Sequence, residues 1–189
     1  MKKILIVALM IAGSSALATK ARYQALGSAA HLTDVQTVFS IPSDMMLLPE
    51  SMEMNFGNKY TADGGMIKNH GDAKLGFFVG TSGKDTEVRT STYLDIENPF
   101  TVLYAAKAGD MNWGLGFTYS KSSKKATTSA IDDQTQSFMT LNGSVVMGDT
   151  TVALNLGLAD KAKGLGTLVS GEEAFENSNA PMALDVYHK

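Results

Sequence analysis

The chain has 189 residues, with 16 basic and 19 acidic side chains and a formal net charge of −3. That balance offers no basic surface for nucleic acid, and the absence of cysteine excludes a disulfide framework. The length suits one domain, which backbone hydrogen bonds and packing must hold together.

Lys2 and Lys3, the apolar run from Ile4 to Ala12, and the small residues Ala16-Leu17-Ala18 follow in the order of a secretory signal peptide. Cleavage is expected after Ala18, because the apolar run falls short of the about 20 residues a spanning helix needs. Loss of Lys2 and Lys3 takes the charge from −3 to about −5. Residues 1–18 are thus read as the signal, 19–50 as an N-terminal periplasmic or plug segment, and 51–189 as the strand-forming domain. Within the middle segment, Met45, Met46, Leu47 and Leu48 form an apolar cluster, read as a plug contact or, in preference, as a short helix resting on the base of that domain.

From Ser51 the chain alternates. Ser51 to Asn58 sets Met52, Met54 and Phe56 against Glu53, Asn55 and Gly57. Gly64 to Asn69 is a weaker strand, with Ile67 taken as its apolar side opposite Met66 and Lys68. Ala73 to Gly80 sets Leu75, Phe77 and Val79 against Lys74, Gly76 and Phe78, and Phe100 to Lys107 sets Phe100, Val102 and Tyr104 against Thr101, Leu103 and Lys107. The clearest strand is Met111 to Ser120, where Met111, Trp113, Leu115, Phe117 and Tyr119 share one side. That period of two contradicts an amphipathic helix. Ser137 to Met147, Thr151 to Ala159 and, more weakly, Pro181 to His188 continue the pattern.

Gly71-Asp72, Gly109-Asp110 and Gly148-Asp149 interrupt these runs at almost equal intervals. Gly accepts positive φ and Asp bonds its own backbone, so each pair reads as a tight hairpin turn. The intervening connections are a short one at Lys59 to Asp63 and long polar ones at Thr81 to Pro99, Lys121 to Gln136 and Asp160 to Ala180. Short turns alternating with long loops are the lacing of an antiparallel, up-and-down transmembrane β-barrel, here of about eight strands.

Charge placement agrees with that fold class. Glu53, Lys68, Lys74 and Lys107 are all read onto the less apolar side, as lumen-facing charges. A Lys or Arg facing mid-bilayer lipid costs about 2–4 kcal/mol, so membrane strands must segregate charge in this way. Tyr104, Trp113 and Tyr119 are the candidates for aromatic girdles at the lipid–water boundary. A soluble secreted or periplasmic β-sandwich that binds a partner is the alternative, with the apolar side turned into a core.

Ala21-Arg22-Tyr23-Gln24-Ala25-Leu26-Gly27, followed by Asp34, Phe39 and Ile41-Pro42-Ser43, resembles the opening of outer-membrane barrels akin to the long-chain fatty-acid transporters. In those an Arg-x-x-Ala-Leu-Gly stretch leads to an acidic residue, a Phe and an Asn-Pro-Ala turn. Here Ile41-Pro42-Ser43 stands in place of Asn-Pro-Ala. The pattern from Asn98-Pro99-Phe100 onward is similar to uncharacterised barrels of predatory Gram-negative bacteria. The resemblance implies a barrel with its N-terminal segment tucked into or under the lumen, moving small or hydrophobic solutes. Members of these families are usually longer, so the chain is either a whole small barrel or the first part of a larger one.

No catalytic centre is expected. His31, His70 and His188 are far apart, without metal-ligand spacing, and read as turn or loop residues. Val79 to Asp85 lacks the first Gly of a phosphate loop and has Asp85 where Ser or Thr would bind Mg²⁺. Asp132-Asp133 and Glu172-Glu173 read as solvated loop acids. The expected location is therefore the outer membrane, without a cofactor, with membrane lipid and the barrel-insertion machinery as partners. Eight closed strands leave an interior nearly filled by side chains, which points to a structural or loop-mediated role. A porin-like pore would need a larger ring or a homo-oligomer, and its solute is not legible here.

Overall fold

The computed structural model describes residues 33–56, 62–80, 99–124, 134–168, 171–179 and 182–188. Among them one antiparallel sheet contains β1 (Ser51–Phe56), β2 (Ala62–His70), β3 (Ala73–Val79), β4 (Phe100–Ala108), β5 (Met111–Lys124), β6 (Gln134–Met147), β7 (Thr150–Leu168), β8 (Gly171–Asn179) and β9 (Met182–His188). From β1 through β8 each strand neighbours the next, so the chain runs up and down as the turn spacing predicts. The signal residues 1–18 lie outside the described part.

Each Gly-Asp pair closes a two-residue hairpin: Gly71-Asp72 between His70 and Ala73, Gly109-Asp110 between Ala108 and Met111, and Gly148-Asp149 between Met147 and Thr150. The three glycines have φ of 62°, 62° and 56°, and a Cβ there would touch nothing. Gly is needed at these turns for its backbone conformation, and space is no constraint.

β9 pairs with β7 and not with β8. β8 covers Asp160–Leu168 of β7, and β9 covers Thr150–Leu156, both antiparallel on the same side. The two are therefore successive halves of one eighth line of strand. Leu158 of β7 is the extra residue: Met139 faces Ala159 while Thr140 faces Gly157. Such a bulge shifts the side-to-side phase by one residue, which is why Ala159 follows Leu158 onto the outer face and Asp160 turns inward.

Two expectations need correction here. Asp160 to Ala180 is not simply a loop, since β7 continues to Leu168 and turns into β8; likewise β5 and β6 extend into the loop expected at Lys121 to Gln136. A Gly/Glu/Asn-rich composition hides strands that lie at the end of a long ladder, where backbone pairing and not an apolar side maintains them. The sheet also does not close. Among the described residues β1 pairs only with β2, and β8 and β9 only with β7. β1 offers just 6 residues for any ladder with the eighth line.

One face of the sheet is covered by the N-terminal segment, which forms 3-10 helices at Thr37–Phe39 and Pro42–Leu47. Val38, Phe39 and Met45 are wholly buried against Ile67, Phe78, Leu103 and Ala105 of β2 to β4. The Phe39 and Phe78 rings meet edge to face with centroids 4.9 Å apart, a preferred aromatic geometry. The Met45 cluster thus lies on the covered face itself, as the plug-contact alternative has it, and not at the foot of the domain, with Leu47 left exposed.

Glycines on this covered face serve a second purpose. A Cβ on Gly114 would lie 2.4 Å from Ser43 N and 2.5 Å from Pro42 C, both backbone atoms that cannot swing aside. Gly143 faces the other way, and its Cβ would meet only Leu115 Cδ2 at 3.5 Å. Gly114→Ala is therefore expected to destabilise the fold by about 1–3 kcal/mol, the range for forced overpacking, while Gly143→Ala leaves it nearly unchanged. Denaturant midpoints of the two variants check this; equal midpoints would refute the close seat.

Candidate functional site

The best-formed polar arrangement is the seat of the N-terminal segment. Pro42 at the start of its 3-10 helix removes one of the backbone donors that a helix start leaves without an internal partner. The next backbone group is satisfied from the sheet: Ser43 N donates to Ser144 Oγ at 2.8 Å, and the two hydroxyls lie 2.8 Å apart. Because Ser144 Oγ already accepts from Ser43 N, its own proton is available to Ser43 Oγ. On the same strand, Asn142 Nδ2 donates to Phe39 O at 2.6 Å. Within the segment, the Thr37 hydroxyl accepts from Asp34 N at 3.1 Å and lies 2.8 Å from Asp34 O and 3.2 Å from Asp44 Oδ2. The segment is consequently two-sided, with Phe39 and Met45 on the apolar half of the inner face and Ser43 and Phe39 O on its polar half.

That polar half spans β4 to β7. Thr101, Thr118, Ser120, Ser122, Gln136, Thr140, Asn142, Ser144, Thr151, Asn155 and Asp160 are all buried there. Thr101 and Thr118 hydroxyls meet at 2.9 Å across β4 and β5, and Gln136 Nε2 donates to Asp160 Oδ1 at 3.1 Å. The opposite face is apolar and exposed. Leu115 is 47% accessible, whereas Thr118 on the other side of the same strand is 1% accessible. Water-soluble domains arrange these classes the other way round.

Three of the four expected lumen charges lie on the inner face. Glu53 is buried there, Lys74 donates from Nζ to Leu48 O, and Lys107 takes an inner position but is exposed beside the Gly109-Asp110 turn. Lys68 does not. Ile67 is buried against the inner cluster, so Met66 and Lys68 point outward. The physical reason is Phe78, which stands opposite Gly65 and occupies the space where a Gly65 Cβ would be, thereby holding β2 in this phase. The four charges are not brought together as one cluster.

The three girdle candidates all face outward. Tyr104 and Trp113 come from neighbouring strands with ring centroids 5.4 Å apart, and Tyr119 lies further along β5, next to Phe100 and Met139 in the register. Sequence reading did not find the groove of about 260 Å³ on β1 to β3, lined by Met52, Met54, Met66, Phe77 and Val79 where Gly64 carries no side chain. Its only sequence signal is the Gly64-Gly65 pair amid methionines. Among the described residues no group of His, Asp and Glu converges as metal ligands, and His70 and His188 are both exposed. His31, Arg22 and the Ala25-Leu26-Gly27 stretch lie outside the described residues.

No protein-family model, curated protein or solved structure matches this chain. The seat is thus defined by its own geometry. Removing a partner of a buried polar group costs about 1–3 kcal/mol, so Asn142→Ala and Ser144→Ala should each loosen residues 35–48 by that order. Limited proteolysis or hydrogen exchange of that segment reads the effect directly. Unchanged protection in both variants would show that apolar packing alone holds it.

Proposed function

We propose that this chain is an outer-membrane β-barrel protein whose lumen is occupied by its own N-terminal segment, with a structural or loop-mediated role in preference to that of an open pore. The observation that carries this reading is the inversion of the two faces. Buried Thr, Ser, Asn and Gln line one side, and exposed Met, Leu, Val, Phe and Tyr the other. Soluble monomers rarely expose contiguous apolar patches above a few hundred Å². Hydrocarbon removes that difficulty, and a barrel is the form in which strands cross it.

Dimensions support the same reading. From Met111 to Tyr119 the outer side of β5 is apolar throughout. Eight residue steps span about 27 Å along a strand, and about 20 Å in height at the tilt usual in such barrels. Trp113 toward the turn end and Tyr119 toward the loop end flank that apolar run, as girdle residues would, and Tyr104, beside Leu115 in the register, packs its ring on Trp113. A sandwich would need a second sheet over the apolar side, and all described strands belong to one sheet. Eight lines of strand also leave β1 antiparallel to the last line, the orientation in which a ring of even number closes. Where the strands are most open to an edge, apolar exposure is highest, with Met52 at 74% and Met182 at 72%.

A segment seated by Ser144, Asn142 and Gly114 obstructs the interior, so planar bilayers containing the protein should show no steady conductance steps. The membrane reading itself is tested by cell fractionation and by position-specific labels. The protein should need detergent for extraction, and spin labels at Leu115 and Leu156 should report acyl chains. Leu115→Arg should lower insertion stability by about 2–4 kcal/mol. Release by salt or alkali without detergent, together with labels shielded in a protein interior, would favour the soluble sandwich.

A further inference from the structure

Where the outer apolar columns end, two lysines stand side by side. Lys121 of β5 is opposite Ser137 of β6, and Ser137 is opposite Lys161 of β7. Two strand spacings separate the lysine backbones, about 10 Å. Both lysines are exposed and Ser137 is half-buried between them. Two residues nearer the turns, the same three strands present Tyr119, Met139 and Ala159. Below those come Phe117, Leu115 and Trp113 on β5, and Leu141 and Val145 on β6. The lysine rung is therefore the first charged one beyond the belt, about 33 Å along the strands from the Gly-Asp turns.

The immediate neighbours of the two lysines carry no opposite charge; the register sets the nearest acid at an outward position, Glu176 of β8, against Lys163, one step beyond Lys161. Asp160, the carboxylate adjacent to Lys161, is wholly buried on the inner face and accepts from Gln136. The register neighbours Ser137 and Ser178 are neutral. Among the described residues neither ammonium has an acidic partner. Long apolar stems let both side chains lie along the belt and bring their ammonium groups to one point. An anion that touches them there must itself sit at the boundary between hydrocarbon and water, as the phosphate of a membrane lipid does.

We infer that Lys121, Ser137 and Lys161 form a binding site for the phosphate of an anionic lipid headgroup at the loop-end surface of the membrane. The inference rests on the outer-membrane reading and adds a lipid class to it. The two ammonium groups supply charge, the Ser137 hydroxyl donates a hydrogen bond, and the apolar columns beneath receive the acyl chains.

The test uses the full chain in nanodiscs of phosphatidylcholine containing a minor fraction of phosphatidylglycerol, with native mass spectrometry counting the lipids retained. Wild type should retain phosphatidylglycerol preferentially. Lys121→Gln and Lys161→Gln should each reduce that preference by about fivefold, the usual effect of one basic residue near an anionic surface. Lys68→Gln, outward at the opposite end, should leave it unchanged, and added inorganic phosphate should not displace the lipid. Undiminished preference in the double Lys→Gln variant, or displacement by inorganic phosphate, would overturn the site. Insertion is scored in the same samples by heat-dependent gel migration. A protein that inserts but shows no preference removes only this inference, whereas one that never inserts removes the membrane reading with it.

Discussion

A sheet with a polar inner face needs a polar cover, and residues 35–48 provide one. The contact on which the fold depends is the approach of Pro42 and Ser43 to the backbone of β5 at Gly114. Only a strand position without a side chain admits another backbone so closely. Once the segment is there, Ser144 and Asn142 satisfy Ser43 N and Phe39 O, groups that would otherwise be buried without partners at a cost comparable to a lost hydrogen bond. Gly76 and Gly116 extend the same logic, since a Cβ at either would meet Met45 Sδ at 2.8 Å or Leu103 Cδ2 at 2.7 Å. The interior is filled by main chain and small polar groups and by a few large apolar residues. Among the described residues the covered face is packed.

That filling explains how one strand can be polar inside and apolar outside without strain. Along β5 the inner positions are Gly114, Gly116, Thr118, Ser120 and Ser122, while the outer positions are Trp113, Leu115, Phe117 and Tyr119. Large residues have no room on the inner side of β5, while the outer side leaves Met111, Leu115 and Tyr119 exposed. The inner face is therefore matched to a cover that the chain itself supplies.

Much of this was legible in the residues. The Gly-Asp turns and the long run from Met111 to Tyr119 specify hairpins and phase without help from tertiary structure. What could not be read has identifiable causes. In β2 a single branched residue, Ile67, lies between Met66 and Lys68, so local pattern assigns no inner side; the ring of Phe78 over Gly65 decides it. β8 has no apolar alternation to detect and exists by pairing with β7. The bulge at Leu158 shifts phase by one residue inside an otherwise regular pattern, which moves Ala159 outward. The seat at Gly114 was hidden because its glycines look the same in sequence as those at turns, although the turn glycines have positive φ and those of the seat have crowded Cβ positions.

Charge follows height as well as side. Asp44, Glu53 and Asp160 are buried on the inner side. Among the described residues the exposed outward lysines are Lys68 beside the first turn, and Lys121 and Lys161 beyond Tyr119 and Met139. Between those limits every large outward residue is apolar or aromatic. A lysine at the middle of a hydrocarbon slab costs about 2–4 kcal/mol, falling to about 0–1 kcal/mol near its surfaces. A face packed against another sheet is also free of charge at its centre, but it would not place paired exposed lysines immediately above an exposed tyrosine. On the proposed membrane reading, the order of apolar column, aromatic ring and ammonium along β5 corresponds to acyl chains, boundary and phosphate.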